Sequence, residues 1–343
     1  MTENIKTAIV TGGCSGIGLG LVKHLLSKTS PDPTWRVVIA DIRPEAYTQI
    51  SSSLDSSRHI FVETDVGSWS SQAALFRRAY DYSNGQIDFV AANAGTAEKE
   101  HLTLGNPTAP EDVDAEPVEP SILCTRVNQL GPFYGIKLFV HYTRRTAKRL
   151  GASSATDAAT TNGATSGSSS DFTPKMVITS SCAGFYPFPV APEYSATKHA
   201  VLALTRSLGP LLYATDKIGL NCINPAYVDT GLTPNEVTEL WPKEWITPIS
   251  TMLRTYDELL SPTGHVDQDK KSDGQPDIIK TGQSVECALD RLYYRQPVEY
   301  ADESQRFLVE NGLDMNGVWW RGMRARLEKL VAEGKSGKDI SMV

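Results

Sequence analysis

The chain has 343 residues, of which 40% are apolar and 21% charged, and this is the composition of an ordinary globular protein of one or two domains. The net charge is −7 with no lysine or arginine run, and no apolar run is long enough for a bilayer, so we expect no nucleic-acid or membrane partner. Five scattered cysteines without CxxC pairing and six histidines without ligand spacing predict no disulfide framework, no metal site and a reducing, cytoplasmic location.

The first predicted element is a short apolar strand at residues 6–10, which leaves no room for a signal peptide before it. It runs into a glycine-rich turn, TGGCSGIG at 11–18, and then into a helical pattern. Glycines let a ligand approach the backbone, and a helix amino terminus offers unpaired N–H groups and a partial positive charge. This order of elements therefore predicts a cradle for the phosphates of a dinucleotide.

A second apolar strand at 36–40 ends at Asp41, which lies 23 positions after Gly18. In dinucleotide sites an acidic residue at this place bonds the adenosine ribose hydroxyls. Because a carboxylate also repels a 2′-phosphate, Asp41 favours NAD over NADP. Arg43 is the counter-argument, since its guanidinium can accommodate a phosphate, although it equally fits an exposed loop charge.

Two further strands, at 59–66 and from Ile87, continue the alternation, with an amphipathic helix at about 70–81 between them. Repeated strand–helix units predict an α/β fold with a doubly wound parallel sheet, the Rossmann fold. The ends of these two strands would lie beside a bound cofactor. The residues at those ends are Asp65, Val66, Asn93, Ala94 and Gly95.

Two segments differ in composition from the rest of the chain. Residues 103–120 are acidic and rich in proline, and residues 151–174 are mostly small and polar, so we expect mobile surface insertions. Between them a predicted helix at 125–150 has Asn128 on its apolar face. A buried asparagine needs partners, so Asn128 is either a packing residue or a functional one.

A fifth strand delivers Ser181, and the helix after it contains Tyr194 and Lys198 one turn apart on the same face. An ammonium held near a phenol favours the phenolate, and so lowers the tyrosine pKa from about 10 toward working pH. A serine hydroxyl on the preceding strand can bond the same substrate oxygen. The three side chains predict proton transfer at a hydroxyl or carbonyl oxygen.

The rest of the chain follows a predicted sixth strand and proline turn in residues 218–232. Residues 231–300 are rich in tryptophan, proline and leucine, and we expect a substrate lid there, with a plain helical appendage as the alternative. Residues 304–312 predict a final strand. The predicted organisation is one dinucleotide-binding and catalytic domain over 1–312 and a helical tail over 313–343, which packs on a partner subunit or on its own core.

In this order the motifs resemble the short-chain dehydrogenase/reductase family, in the branch with a compact TGxxxGxG turn and a YxxxK helix. They are TGGCSGIG at 11–18, Asp65, NAG at 93–95, Asn128, Ser181, YSATK at 194–198 and NPAYVDT at 224–230. The sequence is most similar to NAD-linked hydroxyprostaglandin dehydrogenases and to fungal dehydrogenases of secondary metabolites.

The resemblance implies that Tyr194 is the acid/base, that Lys198 lowers its pKa and bonds the nicotinamide ribose, and that Ser181 orients the substrate oxygen. It implies that Asn128 holds a water that passes the proton to solvent. It also implies the residues that contact the cofactor. These are Thr11, Gly12, Ser15, Gly16, Ile17, Gly18, Asp41, Asp65, Val66, Asn93, Ala94, Gly95, Tyr194, Lys198, Pro225, Val228 and Thr230.

We therefore predict an NAD-dependent oxidoreductase that interconverts a secondary alcohol and a ketone on a medium-sized small molecule. The aromatic run Phe185, Tyr186 and Phe188 predicts an apolar or aromatic substrate, although these rings equally fit a core. The alternatives are an NADP-linked ketoreductase and a catalytically silent nucleotide-binding scaffold, and the complete set of catalytic residue types argues against the scaffold. The resemblance also implies a homodimer or homotetramer.

Overall fold

The sheet at the centre of the protein has eight strands within the residues that the computed structural model describes, which are 5–29, 32–104, 112, 114–151 and 172–335. The strands are β1 Ile5–Thr11, β2 Thr34–Asp41, β3 His59–Glu63, β4 Phe89–Ala92, β5 Lys175–Thr179, β6 Gly219–Pro225, β7 Ser284–Ala288 and β8 Arg291–Tyr294. Their order is β3-β2-β1-β4-β5-β6-β7-β8. All neighbouring pairs are parallel except the last, in which β8 runs antiparallel to β7.

Helices connect these strands. They are α1 Gly16–Ser27, α2 Pro44–Ser51, α3 Trp69–Tyr82, α4 Gly131–Arg149, α5 Pro192–Asp216, α6 Asn235–Leu240, α7 Ile249–Leu260, α8 Glu303–Leu313 and α9 Val318–Ala332. A π-helical turn, Thr125–Leu130, leads directly into α4, and short 3₁₀ turns occur at Cys182–Gly184 and Lys243–Trp245. Among the described helices, none has the length and apolar composition that a membrane span requires.

The core consists of two apolar layers, one on each face of the sheet. Along β1, Ala8 and Val10 belong to one layer and Ile9 to the other, because successive strand residues point to opposite faces. The first layer includes side chains of α1 and α7, and the second includes side chains of α3, α4 and α5. A mostly parallel sheet covered on both faces by helices confirms the predicted Rossmann fold.

The strand order reverses between β1 and β4, since the chain first builds outward through β2 and β3 and then returns to the other side of β1. In open α/β sheets the ligand crevice lies at such a switch point, outside the carboxyl ends of the strands. The carboxyl ends of β1, β4 and β5 therefore mark where the candidate site has to be sought.

The chain divides into two compact units, Met1–Arg295 and Gln296–Val343, so the predicted boundary at 312 falls inside the second unit. The strand predicted at 304–312 is wrong, because these residues lie in α8. The side chain of Asp302 accepts hydrogen bonds from the backbone N–H groups of Ser304 and Gln305, and it thereby caps the helix.

The segment predicted as a lid, 231–300, contains more core than expected. Met252, Tyr256 and Leu259 of α7 are completely buried, and β7 and β8 complete the sheet. The part around α6 and the following 3₁₀ turn, by contrast, is largely exposed, and there the lid stays a prediction. Of the two predicted insertions, residues 105–111, 113 and 152–171 lie outside the described residues.

Candidate active site

The end of β1 is tied to the end of β4 by Thr11. Its hydroxyl oxygen accepts hydrogen bonds from the backbone N–H groups of Asn93 and Ala94, both at 3.0 Å, and donates to the carbonyl oxygen of Ala91 at 3.3 Å. The side-chain amide of Asn93 in turn donates to the carbonyl oxygen of Thr11 at 3.2 Å. These bonds hold the NAG turn against the glycine-rich turn, as a shared cofactor wall requires.

Two positions in the glycine-rich turn have room only for glycine. Gly12 has a φ of +64°, and a Cβ on it would lie 2.9 Å from the Cα of Ala94. A Cβ on Gly18 would lie 2.1 Å from the carbonyl oxygen of Gly12. The side chain of Ser15, the residue before α1, does not cap the N–H groups of the first helical turn in this structure. This cradle fits the pyrophosphate of a dinucleotide.

The corner at the end of β2 holds a carboxylate and a guanidinium together. Asp41 is buried, and its carboxylate accepts the backbone N–H groups of Cys14 and Arg43, both at 3.2 Å. The Arg43 side chain is half-exposed; its Nη2 donates to the hydroxyl of Ser15 at 3.0 Å, and its Nε lies 3.5 Å from the Asp41 carboxylate. The corner predicted to meet the adenosine ribose therefore holds both Asp41 and Arg43, the two groups on which the choice between NAD and NADP depends.

A buried glutamine fixes the segment after β3. The side-chain amide of Gln72 on α3 donates to the carbonyl oxygens of Val66 at 2.6 Å and Gly131 at 2.8 Å. Asp65 accepts the Gly67 N–H at 2.8 Å. Val66 also lines a small apolar cavity between β4 and the start of α4. Gln72 thus holds Val66 in place, and Ser71, also on α3, holds Asp65 by accepting its backbone N–H at 3.0 Å. Sequence reasoning missed both roles.

Tyr194 and Lys198 lie one turn apart on α5, as predicted, next to the end of β5. The Nζ of Lys198 donates to the carbonyl oxygen of Thr179 at 2.9 Å and lies 5.3 Å from the centre of the Tyr194 ring. The Ser180 hydroxyl donates to the carbonyl oxygen of Lys198 at 2.9 Å. These bonds fasten α5 to β5 and bring the phenol and the amine together.

The protonation of this pair differs from the sequence expectation, in which Lys198 lowers the pKa of Tyr194. Burial instead raises the pKa of Tyr194 to about 12, and the hydrogen bond with Ser181 offsets only part of that rise. Burial also lowers the pKa of Lys198 to about 8. A low-dielectric setting penalises every charged form, so it favours the neutral phenol and the neutral amine alike.

Asn128 is buried in the π-helical turn and fully engaged. Its Oδ1 accepts the N–H of Thr96 at 2.9 Å, and its Nδ2 donates to the carbonyl oxygen of Thr96 at 2.9 Å and to the hydroxyl of Thr197 at 3.4 Å. Gly95 lies between Asn128 and Lys198, because a Cβ on it would meet Asn128 Oδ1 at 3.3 Å and Lys198 Nζ at 3.7 Å. Asn128 therefore joins the loop after β4 to α5, beside the amine.

Two glutamates that the sequence reasoning missed hold the start of α5. Glu98 accepts the backbone N–H of Tyr194 at 3.1 Å, and Glu193 accepts the N–H and hydroxyl of Thr125, both at 2.9 Å. The residue before the helix is Ala191, whose methyl side chain cannot cap the helix. Glu193 had a sequence signal, an acid in the first turn of a predicted helix, but Glu98 on a loop had none.

The NPAYVDT motif meets the glycine-rich turn from the other side. A Cβ on Gly16 would lie 2.8 Å from the Cβ of Thr230, so these two residues pack closely. Val228 is partly buried against the first apolar layer, and Pro225 ends β6. The structure thus places Thr230 over the cradle, while Val228 also serves the core.

The aromatic run after Ser181 divides between core and surface. Phe185 packs against the second apolar layer, whereas Tyr186 and Phe188 are about half-exposed. The ring of Phe188 lies 6.5 Å from the ring of Tyr194, edge to face. Nearby, the Nε2 of His101 is 2.8 Å from the carbonyl oxygen of Pro189 and joins the loops on either side. An apolar surface therefore borders the Tyr194 side chain.

Comparison with known proteins identifies the family. The sequence profile of the short chain dehydrogenase family matches residues 6–152 and 169–241, which is more than half of the chain. The chain is 29% identical over 301 residues to the short-chain dehydrogenase/reductase prx6 of Penicillium rubens, with 85% of this chain and 86% of that protein covered. It is 32% identical over 239 residues to the 5′-hydroxyaverantin dehydrogenase of Dothistroma septosporum, with 66% and 68% covered.

Another fungal relative, the NADP-dependent dehydrogenase clz5 of Cochliobolus lunatus, is 29% identical over 225 residues, with 65% of this chain and 71% of that protein covered. The fold is similar to that of the 3-ketoacyl-(acyl-carrier-protein) reductase from Brucella melitensis, crystallised with NADH. The TM-score is 0.60 at 19% identity, over 83% of this chain and 98% of that chain. The chain belongs to the short-chain dehydrogenase/reductase family, as an NAD(P)-dependent oxidoreductase related to fungal secondary-metabolite dehydrogenases.

Proposed function

We propose that this oxidoreductase interconverts a secondary alcohol and a ketone on a medium-sized apolar or aromatic molecule, with NAD as the preferred cofactor. The observation that supports this most directly is the placement of Tyr194. Its phenol lies close enough to the Ser181 hydroxyl for that group to lower the phenol pKa, and its ring centre lies 5.3 Å from the Lys198 amine, at the sheet edge where the glycine-rich cradle also lies. A proton donor beside a dinucleotide cradle is the arrangement that carbonyl reduction requires.

In this proposal Tyr194 gives its proton to the carbonyl oxygen during reduction and takes it back during oxidation. The Ser181 hydroxyl bonds the same oxygen and fixes its position before the proton moves. A bound nicotinamide cofactor supplies or accepts the hydride at the substrate carbon. Because burial raises the pKa of Tyr194 to about 12, the free enzyme holds the phenol proton that the reduction step delivers, and this proton must be lost to a base before oxidation.

Lys198 and Asn128 would support the proton transfer. Lys198 is anchored by Thr179, so its amine stays beside the phenol and in reach of a cofactor ribose. The side chain of Asn128 forms hydrogen bonds with Thr96 and Thr197, and these bonds hold the loop next to Gly95 in place. We infer that Asn128 positions this wall and that a water between it and Lys198 relays the proton to solvent.

The substrate class is inferred from the surface beside Tyr194. Phe188 presents a half-exposed ring there, 6.5 Å from the ring of Tyr194, and aromatic surface of this kind binds rings or lipid-like chains. The name of the Dothistroma septosporum relative, a dehydrogenase of 5′-hydroxyaverantin, supports a substrate that bears a hydroxyl group.

NAD is proposed because Asp41 puts a carboxylate at the ribose side of the cradle, where it would repel a 2′-phosphate. An NADP-linked enzyme is the second candidate, and one observation favours it. Arg43 is the more exposed of the two groups and reaches to Ser15, so a guanidinium faces the same corner. The NADP-dependent relative clz5 points in the same direction.

Fluorescence titration of the full chain with NADH and with NADPH tests both candidates. We expect tighter binding of NADH, loss of that preference in Asp41→Ala, and little change for NADH in Arg43→Ala. If NADPH binds more tightly and Arg43→Ala removes the advantage, the enzyme is NADP-linked. No binding of either cofactor would contradict the proposal as a whole. A screen of secondary alcohols and ketones with the preferred cofactor then identifies the substrate class.

A further inference from the structure

The second unit contains a helical hairpin with a well-defined turn. We call α8, α9 and the turn between them the C-terminal hairpin, residues 302–335. The indole N–H of Trp320 donates to the carbonyl oxygen of Gly312 at 2.8 Å and joins the two helices. A Cβ on Gly317 would lie 2.4 Å from the carbonyl oxygen of Asn311, so the turn requires glycine. The sequence therefore specifies a hairpin, not an irregular tail.

This hairpin has almost no core of its own. Neither α8 nor α9 contains a buried residue, and Phe307 and Trp319 are 59% and 52% exposed. Isolated helices of this length are only marginally stable in water, and two such helices that share no buried core do not stabilise each other enough. The large exposed apolar side chains on them are Phe307, Leu308, Val309, Leu313, Val318, Trp319 and Val331. Such a surface needs a partner that covers it.

The two helices have opposite charge. Between residues 302 and 314 there are four acidic residues and one basic residue, and between 318 and 332 there are four basic residues and one acidic residue. In the part of the hairpin that the structure describes, the ion pairs join Arg306 to Glu303 at 3.4 Å and Lys335 to Glu333 at 3.3 Å. None of the described pairs joins α8 to α9. Most charged side chains of the acidic helix α8 and of the basic helix α9 therefore form no ion pair among the described residues.

We propose that the C-terminal hairpin binds a second copy of this chain about a two-fold axis, with α8 of each copy against α9 of its partner. A two-fold interface uses the same patch on both copies, so it needs a surface that is complementary to itself. An acidic helix beside a basic helix meets this condition, because both α8–α9 contacts are attractive at once. The exposed apolar side chains then form the interior of the interface.

The charge pattern also decides against a membrane as the partner. The basic α9, with Trp319 and Trp320, would be attracted to an anionic lipid surface, but the acidic α8 beside it would be repelled. A second copy of the chain would attract both helices electrostatically, whereas an anionic bilayer would attract only α9.

Charge reversal in full-length protein tests the proposal. One variant reverses α8 with Glu303→Lys and Glu310→Lys, and another reverses α9 with Arg326→Glu and Lys329→Glu. We expect light scattering to show wild type at a multiple of 37.4 kDa and each reversed variant at half the wild-type mass. An equimolar mixture of the two variants should regain the wild-type mass, and so should a chain with all four changes, since both restore attraction. A variant that merely unfolds cannot be rescued in this way.

The proposal is overturned if wild type is a monomer, if the single reversals leave the mass unchanged, or if neither the mixture nor the fourfold variant recovers it. Flotation with phosphatidylserine vesicles separates the alternatives. A monomer that floats with the vesicles assigns the hairpin to a membrane. A monomer that does not float, and whose hairpin amides are protected from hydrogen exchange, assigns it to the first unit of its own chain.

Discussion

Lys198 and Tyr194 share one face of α5, with the amine 5.3 Å from the centre of the phenol ring, and Lys198 is anchored to the carbonyl oxygen of Thr179. Both side chains are in a setting where burial controls protonation, with a pKa of about 12 for Tyr194 and about 8 for Lys198. In the protein without cofactor, Tyr194 is therefore a protonated phenol beside the Lys198 side chain, and not a phenolate.

The first prediction concerns the pH dependence of the two reaction directions. Oxidation needs the phenolate of Tyr194, whose fraction rises about tenfold per pH unit below its pKa, so the oxidation rate should rise with pH. Reduction uses the protonated phenol and should change little around neutral pH. Initial rates in both directions measure this. Tyr194→Phe should lower both rates by about 10²–10⁴-fold while NADH still binds. An oxidation rate that falls as pH rises would contradict the assignment.

The second prediction concerns Glu98, which accepts the backbone N–H of Tyr194 at 3.1 Å. Loss of this acceptor in Glu98→Ala should cost about 1 kcal/mol of stability and lower kcat/KM by about tenfold or more, because the first turn of α5 loosens. Glu98→Gln keeps an acceptor oxygen and should recover most of the loss. Urea unfolding and steady-state kinetics measure the two effects.

Glu100 provides the matched control, since it lies on the same loop and accepts the N–H of Ser121 at 2.8 Å without a bond to α5 in this structure. Glu100→Ala should leave turnover unchanged. If Glu98→Ala and Glu100→Ala behave alike, Glu98 does not position Tyr194.

The third prediction separates backbone strain from steric collision in the glycine-rich turn. Gly12 and Gly151 have similar φ values, +64° and +74°, but a Cβ on Gly12 meets Ala94 at 2.9 Å, while one on Gly151 meets no atom of the described residues within 4 Å. Gly151→Ala should cost about 1–2 kcal/mol and leave NADH affinity intact. Gly12→Ala should cost more and weaken NADH binding at least about tenfold. Equal effects on NADH binding would show that the turn is not the phosphate cradle.

The parts of the fold that could be predicted from the sequence are those that local pattern decides. The strands β1, β2, β4, β5 and β6 are short apolar runs in the sequence. In the glycine-rich turn, a Cβ on any of the four glycines would collide with a neighbouring atom, which explains why the sequence has glycine there. The placement of Ser181, Tyr194 and Lys198 followed from a strand end and a helical spacing. These features need no knowledge of the distant chain.

The features that were missed depend on distant residues. β7 contains the buried Glu286, which no strand pattern favours, and it is stabilised by Arg295 at 2.5 Å and Tyr186 at 3.1 Å. Glu98 accepts the backbone N–H of Tyr194, which lies 96 residues further along the chain, so no local pattern could reveal this contact. The error at 304–312 is of another kind, because the capping pattern from Asp302 to Gln305 was present in the sequence and was overlooked.

The fourth prediction uses two buried lysines that differ in their partners. Lys175, at the start of β5, is buried, and its Nζ has no hydrogen-bond partner among the described residues. Lys280 is equally buried, but its Nζ donates to the carbonyl oxygens of Gly264 and Ile278, at 3.3 Å and 2.7 Å, and of Gln275. Lys175→Met should therefore stabilise the protein by about 1–3 kcal/mol, whereas Lys280→Met should destabilise it.

The pH dependence gives this prediction a second, independent readout. Burial lowers the pKa of Lys175 from its ordinary 10.5 to about 8, so between those values the unfolded chain binds more protons than the folded one. Stability from this group therefore rises as pH increases from about 8 to 10.5. Below that window both states are protonated and the full cost of the buried ammonium is present. Urea unfolding at pH 7 should show the largest gain for Lys175→Met, and the gain should shrink toward pH 10. A destabilised Lys175→Met, or a gain that grows with pH, would show that the Lys175 ammonium has a partner that stabilises it.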